Sequence, residues 1–406
     1  MNKMGPVFLH QPGVVSALGD DLAFSWQALC QSDGHYLSRQ TQWVHQRVLP
    51  VGAVSVPLQP FAAPTLPGYK NRTNRLLWHA SIAVANQIIQ AKQQFGAHRV
   101  AVVVGTSTSG ADENRAAFQQ VVAGQDWSNS GFSQTQQSLY SPADFLAQAH
   151  GLTGLCYVIS TACTSGARAL ISAARLLHAG LADAVVCGGV DCLSWLTLNG
   201  FAALSVLSDA VATPFGPQRQ GINIGEGAAV FVATRAPLGD QDDALRLWGY
   251  GASSDAWHMS SPRPDGLGAQ QAIQAALVCA DLCPDEIGWV NLHGTGTEQN
   301  DAMESAAVAQ SLGSQVWCTS TKPMTGHTLG AAGALEAAWV WAAASRRINP
   351  NGILPKQYLP LGYDASLPHI RLTEAQSTWP SGPRLGLTTS FAFGGSNTAL
   401  VLGEEV

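Results

Sequence analysis

Short apolar runs typical of buried strands alternate along this chain with longer helical patterns, and this alternation limits it to one fold class. Such runs, rich in Val and Ile, suit strands that are covered on both faces. They span Arg99–Thr106, Leu155–Ser160, Ala184–Val190, Ala228–Thr234, Trp289–His293, Val316–Thr321 and Thr398–Leu402. The helical patterns span Asn74–Gln94, Thr164–His178, Ala269–Ala280, Ala302–Leu312 and Thr328–Arg346. We therefore predict an α/β fold.

The two halves of the chain follow a similar plan. In the first half, the run CYVIS leads into TACTSG and then into an Ala-rich helical pattern. In the second half, VWCTS leads into TKPMTGHTLGAAG and another Ala-rich pattern. The polar segment PLGDQDDA, near residues 236–245, has the composition of a connector. We predict two similar domains, residues 1–240 with the first motif and residues 241–406 with the second.

Few charges cover this chain. Of its 406 residues, 12% are charged and 46% are hydrophobic, and the formal net charge is −6. This composition excludes a disordered chain and predicts that part of the surface is buried in an oligomer. The acidic balance argues against nucleic acid as a partner. No apolar stretch reaches the roughly 20 residues of a membrane span, and residues 1–21 lack the apolar core of a signal peptide, so a cytoplasmic location is expected.

Cys163 differs from the other seven cysteines in its setting. It follows a strand pattern and precedes a helix, in the segment STACTSG. The unpaired N–H groups and the dipole at a helix N-terminus favour an anion, so we expect a lowered pKa for a thiol at this position. Its small neighbours leave room for a bulky acyl group. A buried structural cysteine is the alternative, and the low cysteine density does not indicate a disulfide framework.

Two histidines and a lysine lie in loops of the second half. His293 stands in NLHGTGTEQND and His327 in TKPMTGHTLGAAG, each close to the end of a strand pattern. Open α/β sheets place their ligands at such strand ends, and an imidazole there can stabilise charge on a carbonyl oxygen. Lys322 precedes His327, and Glu336 lies on the following Ala-rich helix as a candidate partner. The alternatives are structural histidines and a surface lysine.

The segment TTSFAFGGSN, residues 388–397, contains two Phe and then a pair of Gly. Paired glycines permit unusual backbone angles and a close approach to a ligand, although a plain turn also explains them. Competing motifs fail: Gly105–Asp112 lacks the Lys-Ser/Thr of a phosphate loop, no GxSxG occurs, and no GxGxxG follows a strand.

Together these segments resemble the β-ketoacyl-acyl-carrier-protein synthases of the elongating type, which carry a Cys-His-His triad. The resemblance spans nearly the whole chain, with its blocks in the family's order: GVVSALGDD, STACTSGARAL, PFGPQRQGINIGEGAA, SSDAWHMSSPRPDG, NLHGTGTEQND, STKPMTGHTLGAAGALEA and TSFAFGGSN. It implies a thiolase-like fold, with two similar halves in a five-layered αβαβα arrangement, and a dimer. It also implies decarboxylative condensation of an acyl group with malonyl-acyl carrier protein, in fatty acid, polyketide or aryl polyene biosynthesis.

The resemblance also implies roles for single residues. Cys163 would take the acyl chain, and His293 and His327 would bind the malonyl thioester carbonyl as carbon dioxide leaves. Backbone N–H groups of Cys163 and Phe393 would form an oxyanion hole, and Phe393 would also act as a gate. Further residues would support the triad or contact substrate: Lys322 and Glu336 as an ion pair, Asp301 as a supporting carboxylate, and Thr295, Thr297, Thr108 and Phe391 against the substrate. No metal or organic cofactor is implied, because the substrates are carried on phosphopantetheine.

Some features depart from the usual fatty-acid pattern. Position 323 is Pro where Ser is more usual, the stretch from Gly131 to Cys163 is shorter than usual, and Thr108 replaces a bulkier aliphatic residue. These departures leave the acyl substrate open.

Lys70, Arg72 and Arg75 form the candidate basic patch for the acidic carrier protein, although a solvated helix start explains them equally. The polar segment Ala123–Ser141 is predicted to be a long loop or a lid.

Two other functions fit parts of the pattern. A degradative thiolase of the same fold needs a second cysteine near the C-terminus, and residues 386–406 contain none. A non-catalytic chain-length-factor-like subunit of a heterodimer usually lacks the nucleophile, whereas Cys163 and both histidines are present. We expect a homodimer, or a heterodimer with a related ketosynthase-like subunit.

Overall fold

The computed structural model describes residues 5–31, 36–61, 67–239 and 243–405. These residues form fourteen strands and twelve α-helices, besides short 3-10 turns. The strands are β1 Phe8–Leu9, β2 Gly13–Val15, β3 Ser38–Gln40, β4 Leu49–Val51, β5 Val100–Gly105, β6 Cys156–Ile159, β7 Ala184–Asp191, β8 Gly227–Thr234, β9 Leu245–Ser254, β10 Trp289–Asn291, β11 Trp317–Thr319, β12 Arg371–Leu372, β13 Leu385–Phe391 and β14 Ser396–Gly403. The helices are α1 Leu22–Gln31, α2 Arg72–Ala83, α3 Ala85–Phe95, α4 Arg115–Val122, α5 Gln134–Gln137, α6 Ser141–His150, α7 Ser165–His178, α8 Trp195–Ala203, α9 Leu267–Ala280, α10 Glu298–Leu312, α11 Lys322–Thr325 and α12 Ala332–Ala344.

Two groups of strands repeat one topology. In the first, the order is β1-β8-β7-β5-β6, with β7, β5 and β6 parallel and β8 antiparallel to both of its neighbours. In the second, β9-β14-β13-β10-β11 repeats that order and those directions, and β12 extends the edge. The short strand β1 also pairs with β9 and so joins the two groups. The two halves therefore share a plan, as the sequence repeat predicts.

Helices α7 and α12 pack against each other between the two groups of strands. Helix α7 contacts β5 and β7 of the first group, and α12 contacts β13 and β14 of the second as well as β8 of the first. Helices α2 and α6 cover the outer face of the first group, and α9 covers that of the second. All thirteen residues of α12 are buried, which explains why Glu336, paired with Lys322, is its only charged residue. The order of layers is αβαβα, and the predicted fold is confirmed.

Small residues let the two central helices approach closely. A Cβ at Gly166 of α7 would lie 2.8 Å from Ala334 N of α12, and a Cβ at Gly333 of α12 would lie 2.8 Å from Ala167 N of α7. The contact is therefore reciprocal, as expected for two halves related by a pseudo-twofold axis. The predicted boundary between residues 240 and 241 lies outside the described residues and stays a prediction.

Candidate functional site

A tight turn places Cys163 between β6 and α7. Ala162, directly before it, has a left-handed backbone conformation with a φ of 50°. Ser165 Oγ stabilises the turn, since it accepts a hydrogen bond from Thr161 N at 2.9 Å and donates one to Ala162 O at 2.6 Å. The thiol is thereby held at the N-terminus of α7, with 7% of the residue exposed.

The two predicted histidines meet Cys163 from the other half of the chain. His327 Nε2 lies 2.9 Å from Cys163 Sγ, and the ring centroids of His293 and His327 are 5.3 Å apart with the planes at 85°. One ligand atom from each of the three residues lies within 4.8 Å of the others. Cysteine and histidine are also Zn²⁺ ligands, so this donor set could hold a soft metal ion as well as a carbonyl oxygen.

Glu304 of α10 positions the loop that carries His293. Its carboxylate accepts hydrogen bonds from His293 N and Gly294 N, each at 2.7 Å, and from Thr389 Oγ1 at 2.9 Å. Burial raises the pKa of Glu304 to about 7. Glu304 was not predicted from the sequence, because an acidic residue on a helix usually marks a solvated face.

Lys322 and Glu336 form the predicted ion pair directly behind His293. Lys322 Nζ lies 2.5 Å from Glu336 Oε1, and both residues are buried. The ammonium also donates to His293 O and lies 3.4 Å from His293 Nδ1. Burial raises the pKa of Glu336 to about 7, and the charge of Lys322 opposes that rise.

Both imidazoles are neutral in this environment. Burial, followed by the positive charge of Lys322, lowers the pKa of His293 and of His327 well below 6.5. Since an ammonium can only donate, its contact with His293 Nδ1 makes that nitrogen the acceptor and leaves the proton on Nε2. A neutral imidazole with a proton on Nε2 can donate a hydrogen bond to a thioester oxygen.

The expected lowering of the Cys163 pKa is wrong. Burial raises the pKa of this thiol to about 12, and the nearby charge of Lys322 opposes the rise without reversing it. Desolvation of the thiolate outweighs the helix N-terminus because Cys163 is buried. The resting state is therefore a neutral thiol beside a neutral imidazole.

The triad lines a cavity of about 50 Å³. Four further residues that the resemblance indicates line it together with the triad: Thr295, Thr297, Phe391 and Phe393. The Thr295 and Thr297 hydroxyls are 3.0 Å apart, and the Phe393 ring packs on Phe201 with centroids 5.8 Å apart. Polar and aromatic walls of this kind suit a narrow arm with amide groups.

Two polar residues of the cavity wall were not anticipated. Asn397 Nδ2 donates to Asp255 Oδ1 at 2.7 Å, and Asp255 N donates to Gly395 O at 2.8 Å. These bonds tie the Gly394–Gly395 turn to the loop after β9, and Gly394 N donates to Met259 O at 2.8 Å. The paired glycines both have positive φ, at 85° and 77°, so the turn requires them.

Other predicted site residues lie outside this cavity. Asp301 accepts hydrogen bonds from Phe215 N at 2.8 Å and Gly296 N at 3.2 Å, and so supports the loop that carries Thr295. Thr108 lies after β5, and its hydroxyl is buried without a hydrogen-bond partner among the described residues. None of the residues of the 123–141 segment lines the cavity, and the segment contains α5 and a 3-10 turn rather than one long loop.

The predicted basic patch is only partly available to a partner. Lys70 and Arg75 are exposed, whereas the Arg72 guanidinium is bound to the buried Glu226 carboxylate. Arg72 therefore has a structural partner, and the role of the three residues in carrier-protein binding stays a prediction. None of the helices formed by the described residues has the length and apolar character needed to cross a membrane.

Comparisons with known proteins agree with this geometry. The family model described as the N-terminal domain of beta-ketoacyl synthase matches residues 72–237, and that of the C-terminal domain matches residues 246–353. The 3-oxoacyl-[acyl-carrier-protein] synthase 2 of Vibrio cholerae is 33% identical over 321 residues, which are 75% of this chain and 76% of the relative. A putative polyketide beta-ketoacyl synthase of Streptomyces cyaneus is 31% identical over 320 residues, 73% of this chain and 76% of the relative.

A solved structure matches along the whole chain. It is a complex of the ketosynthase ApeO with its chain length factor ApeC from Xenorhabdus doucetiae, and one of its chains aligns with a TM-score of 0.90 and 39% identity. The alignment covers 100% of this chain and 99% of that chain. The family models, the relatives and the fold all agree, and the chain belongs to the β-ketoacyl synthase family.

Proposed function

We propose that this chain catalyses decarboxylative condensation with Cys163 as nucleophile and His293 and His327 as the groups that stabilise the enolate. The observation that carries the proposal is the meeting of all three side chains in one buried cavity, with Cys163 Sγ 2.9 Å from His327 Nε2. The reaction has two halves, acyl transfer and condensation.

In acyl transfer, Cys163 Sγ attacks the thioester carbonyl of an acyl carrier protein. The thiol proton passes to the departing phosphopantetheine thiol, with His327 Nε2 within reach to carry it. The backbone N–H groups of Cys163 and Phe393 are the proposed donors to the tetrahedral oxyanion. Phe393 lines the cavity beside Cys163, which supports that assignment.

In condensation, the malonyl group loses carbon dioxide and its bonding electron pair forms an enolate. Two neutral imidazoles donate hydrogen bonds to the thioester oxygen on which that charge accumulates. The enolate carbon then attacks the acyl group on Cys163, a carbon–carbon bond forms, and Sγ leaves as a thiolate, which takes up one proton from solvent to restore the neutral thiol. No metal or organic cofactor takes part in these proposed steps, and Thr295 and Thr297, which line the cavity, are the proposed contacts of the phosphopantetheine arm.

The proposed partners are an acyl carrier protein and a second chain of the same fold. Strand β6 lies at the edge of the first group of strands and pairs only with β5 among the described strands. Leu155 beside it is 47% exposed, and Phe118 and Trp127 form an exposed aromatic pair with centroids 5.6 Å apart. An unpaired edge and exposed aromatic side chains suit a subunit interface, whether in a homodimer or a heterodimer.

The pathway is one of fatty acid, polyketide or aryl polyene assembly. The similarity to both a 3-oxoacyl-[acyl-carrier-protein] synthase and a putative polyketide beta-ketoacyl synthase supports this range. The cytoplasmic location expected from the sequence stays a prediction. The intact triad favours an enzyme over a chain-length-factor-like subunit.

Replacing the nucleophile tests the proposal. Cys163→Ala should abolish elongation of acyl carrier protein while the fold is retained, because the side chain is small and its neighbours are small. Cys187→Ala is the matched control, since Cys187 is a buried cysteine of β7 outside the cavity. Elongation at the parent rate by Cys163→Ala would contradict the proposal, as would a parent protein that cannot be labelled at Cys163 by a substrate-like alkylating agent.

A further inference from the structure

Asp191, the last residue of β7, is a buried carboxylate that the proposed reaction does not use. The residue is 0% exposed. Its carboxylate accepts hydrogen bonds from Thr106 Oγ1 at 2.7 Å, from Ser107 N at 3.0 Å and from Gly330 N at 2.6 Å. A backbone N–H can only donate, so these contacts require an acceptor at Asp191, and they oppose the rise in its pKa that burial causes.

Gly330 occupies in the second half the place that Cys163 occupies in the first. Gly166 and Gly333 make the reciprocal contact between the central helices, and three residues before each stand Cys163 and Gly330. The residues one position earlier, Ala162 and Leu329, both have a φ of 50°. The same turn is therefore built twice. In the first half it presents a thiol to the cavity, and in the second its N–H binds Asp191.

The backbone at Gly330 is tightly enclosed. A Cβ at this position would lie 2.6 Å from Asp191 Oδ2 and 2.6 Å from Ser107 N. The turn that follows His327 is thus in direct contact with the carboxylate and with the loop after β5. A change at Asp191 must move the turn, the loop or both.

His327 depends on its backbone for orientation. Its Nδ1 is buried and has no hydrogen-bond partner among the described residues, so the contact of Nε2 with Cys163 Sγ is the one side-chain hydrogen bond that the ring makes there. On one side, His327 N donates to Asn223 O at 2.7 Å, and His327 O accepts from Gly225 N at 2.9 Å. On the other side, the next fixed point is Gly330, held by Asp191.

We propose that Asp191 is a positioning residue for His327 in the decarboxylation step. By holding Gly330 N, the carboxylate fixes the strained turn at Leu329 and with it the direction of the His327 ring. Without this anchor, Leu329 can relax from its left-handed conformation and Nε2 moves away from the thioester oxygen. This inference rests on the proposed function, since it assumes that His327 stabilises the enolate.

The test is a double-mutant cycle on decarboxylation of malonyl-acyl carrier protein. Asp191→Asn keeps the size of the side chain but turns an amide N–H₂ toward backbone donors. We expect kcat to fall about 10- to 100-fold, as on loss of other groups that orient an imidazole, with KM within about twofold. In a His327→Ala background, Asp191→Asn should not lower kcat further. In a His293→Ala background, Asp191→Asn should lower kcat by the same factor as in the parent.

Two additional variants separate positioning from general destabilisation. Asp183→Asn is the matched control, because Asp183 stands just before the opposite end of β7 and binds Arg99. It should lower the melting temperature and leave kcat unchanged. Thr106→Val removes one donor to Asp191 with little change of shape, so it should give a smaller loss with the same dependence on His327 even if Asp191→Asn does not fold.

A parent-like kcat in Thr106→Val and Asp191→Asn would overturn the inference. So would an equal loss in the His327→Ala background, because Asp191 would then act on the fold rather than through His327. Failure of the proposed function gives a different result, since the parent protein would itself show no decarboxylation.

Discussion

Cys163 Sγ and His327 Nε2 lie 2.9 Å apart although they come from different halves of the chain. Burial moves their pKa values in opposite directions, up to about 12 for the thiol and well below 6.5 for the imidazole. The contact is therefore a hydrogen bond between neutral groups, unlike the thiolate–imidazolium pair of many cysteine enzymes. Proton transfer from the thiol must accompany acyl transfer rather than precede it.

The first prediction concerns the pH dependence of Cys163 alkylation by iodoacetamide. A raised pKa means that the thiolate fraction is small at neutral pH and increases about tenfold with each pH unit below the pKa. We expect the rate constant to rise without a plateau between about pH 6 and pH 9. It can be measured by mass spectrometry of the Cys163 peptide, with exposed Cys283 as the internal control. A plateau near neutral pH would show a preformed thiolate.

The second prediction separates the half-reactions. His293→Ala or His327→Ala should lower malonyl decarboxylation by roughly two to four orders of magnitude, as on removal of an oxyanion donor. Acyl loading of Cys163 should survive at least in part, because that half-reaction does not use the hydrogen bonds from the two imidazoles to the malonyl thioester. His150→Ala is the control, since His150 is a shielded imidazole bonded to Ser81 outside the cavity. Full decarboxylation by both triad variants would exclude a shared role for the imidazoles.

The third prediction concerns the acyl chain and Thr108. The Thr108 hydroxyl is buried and has no hydrogen-bond partner among the described residues. A buried hydroxyl without a partner costs about 1–3 kcal/mol, which a polar substrate group would recover. Thr108→Ile should therefore shorten or narrow the accepted acyl chains while short-chain turnover is spared.

The measurement is elongation of a series of acyl chains with and without an aromatic or polyene end. Thr108→Val is the matched control, because it removes the hydroxyl and keeps the volume. A profile changed by Ile but not by Val indicates a limit of space, and one changed by both indicates recognition of a polar group. Unchanged profiles in both variants would show that Thr108 does not line the acyl tunnel.

The fourth prediction concerns stability and Glu304. The pKa of Glu304 is about 7 in the folded protein and 4.5 for a freely solvated glutamate, so the folded state keeps a proton that the unfolded state loses. The stabilisation from that proton is complete below about pH 4.5 and is lost as the pH rises through about 7. The side chain of Glu304→Gln cannot titrate. Between pH 5 and pH 8 the free energy of unfolding of the parent should therefore fall by roughly 1–3 kcal/mol relative to that of the variant. Urea unfolding at both pH values measures this, and a constant difference between the two proteins would contradict the assignment.

Much of the fold is predictable where apolar side chains mark buried strands. Strand β9 was not predicted, because its inward positions include Gly249 and Gly251 instead of Val or Ile. A Cβ at Gly251 would lie 1.9 Å from Ala272 O of α9, so helix packing requires glycine there. The single helix predicted over Asn74–Gln94 is two helices, since the buried Val84 between α2 and α3 has non-helical angles.

The site was predictable where a motif follows a strand, and not where one chain segment supports another. Cys163, His293 and His327 each stand in a loop whose composition indicates function. Glu304 and Asp191 act through backbone N–H groups of loops far away in sequence. Nothing in their local sequence indicates those contacts. The prediction of a lowered pKa for Cys163 was wrong for the same reason, because burial is set by the whole fold rather than by the helix that follows.

The enclosure of Gly330 excludes a second thiol at the matching turn. The strand, turn and helix that carry Cys163 in the first half are built again in the second half. At the second turn any side chain would collide with Asp191 and Ser107. A thiol there requires loss of the Asp191 carboxylate, whereas the glycine that occupies the turn donates its N–H to that carboxylate.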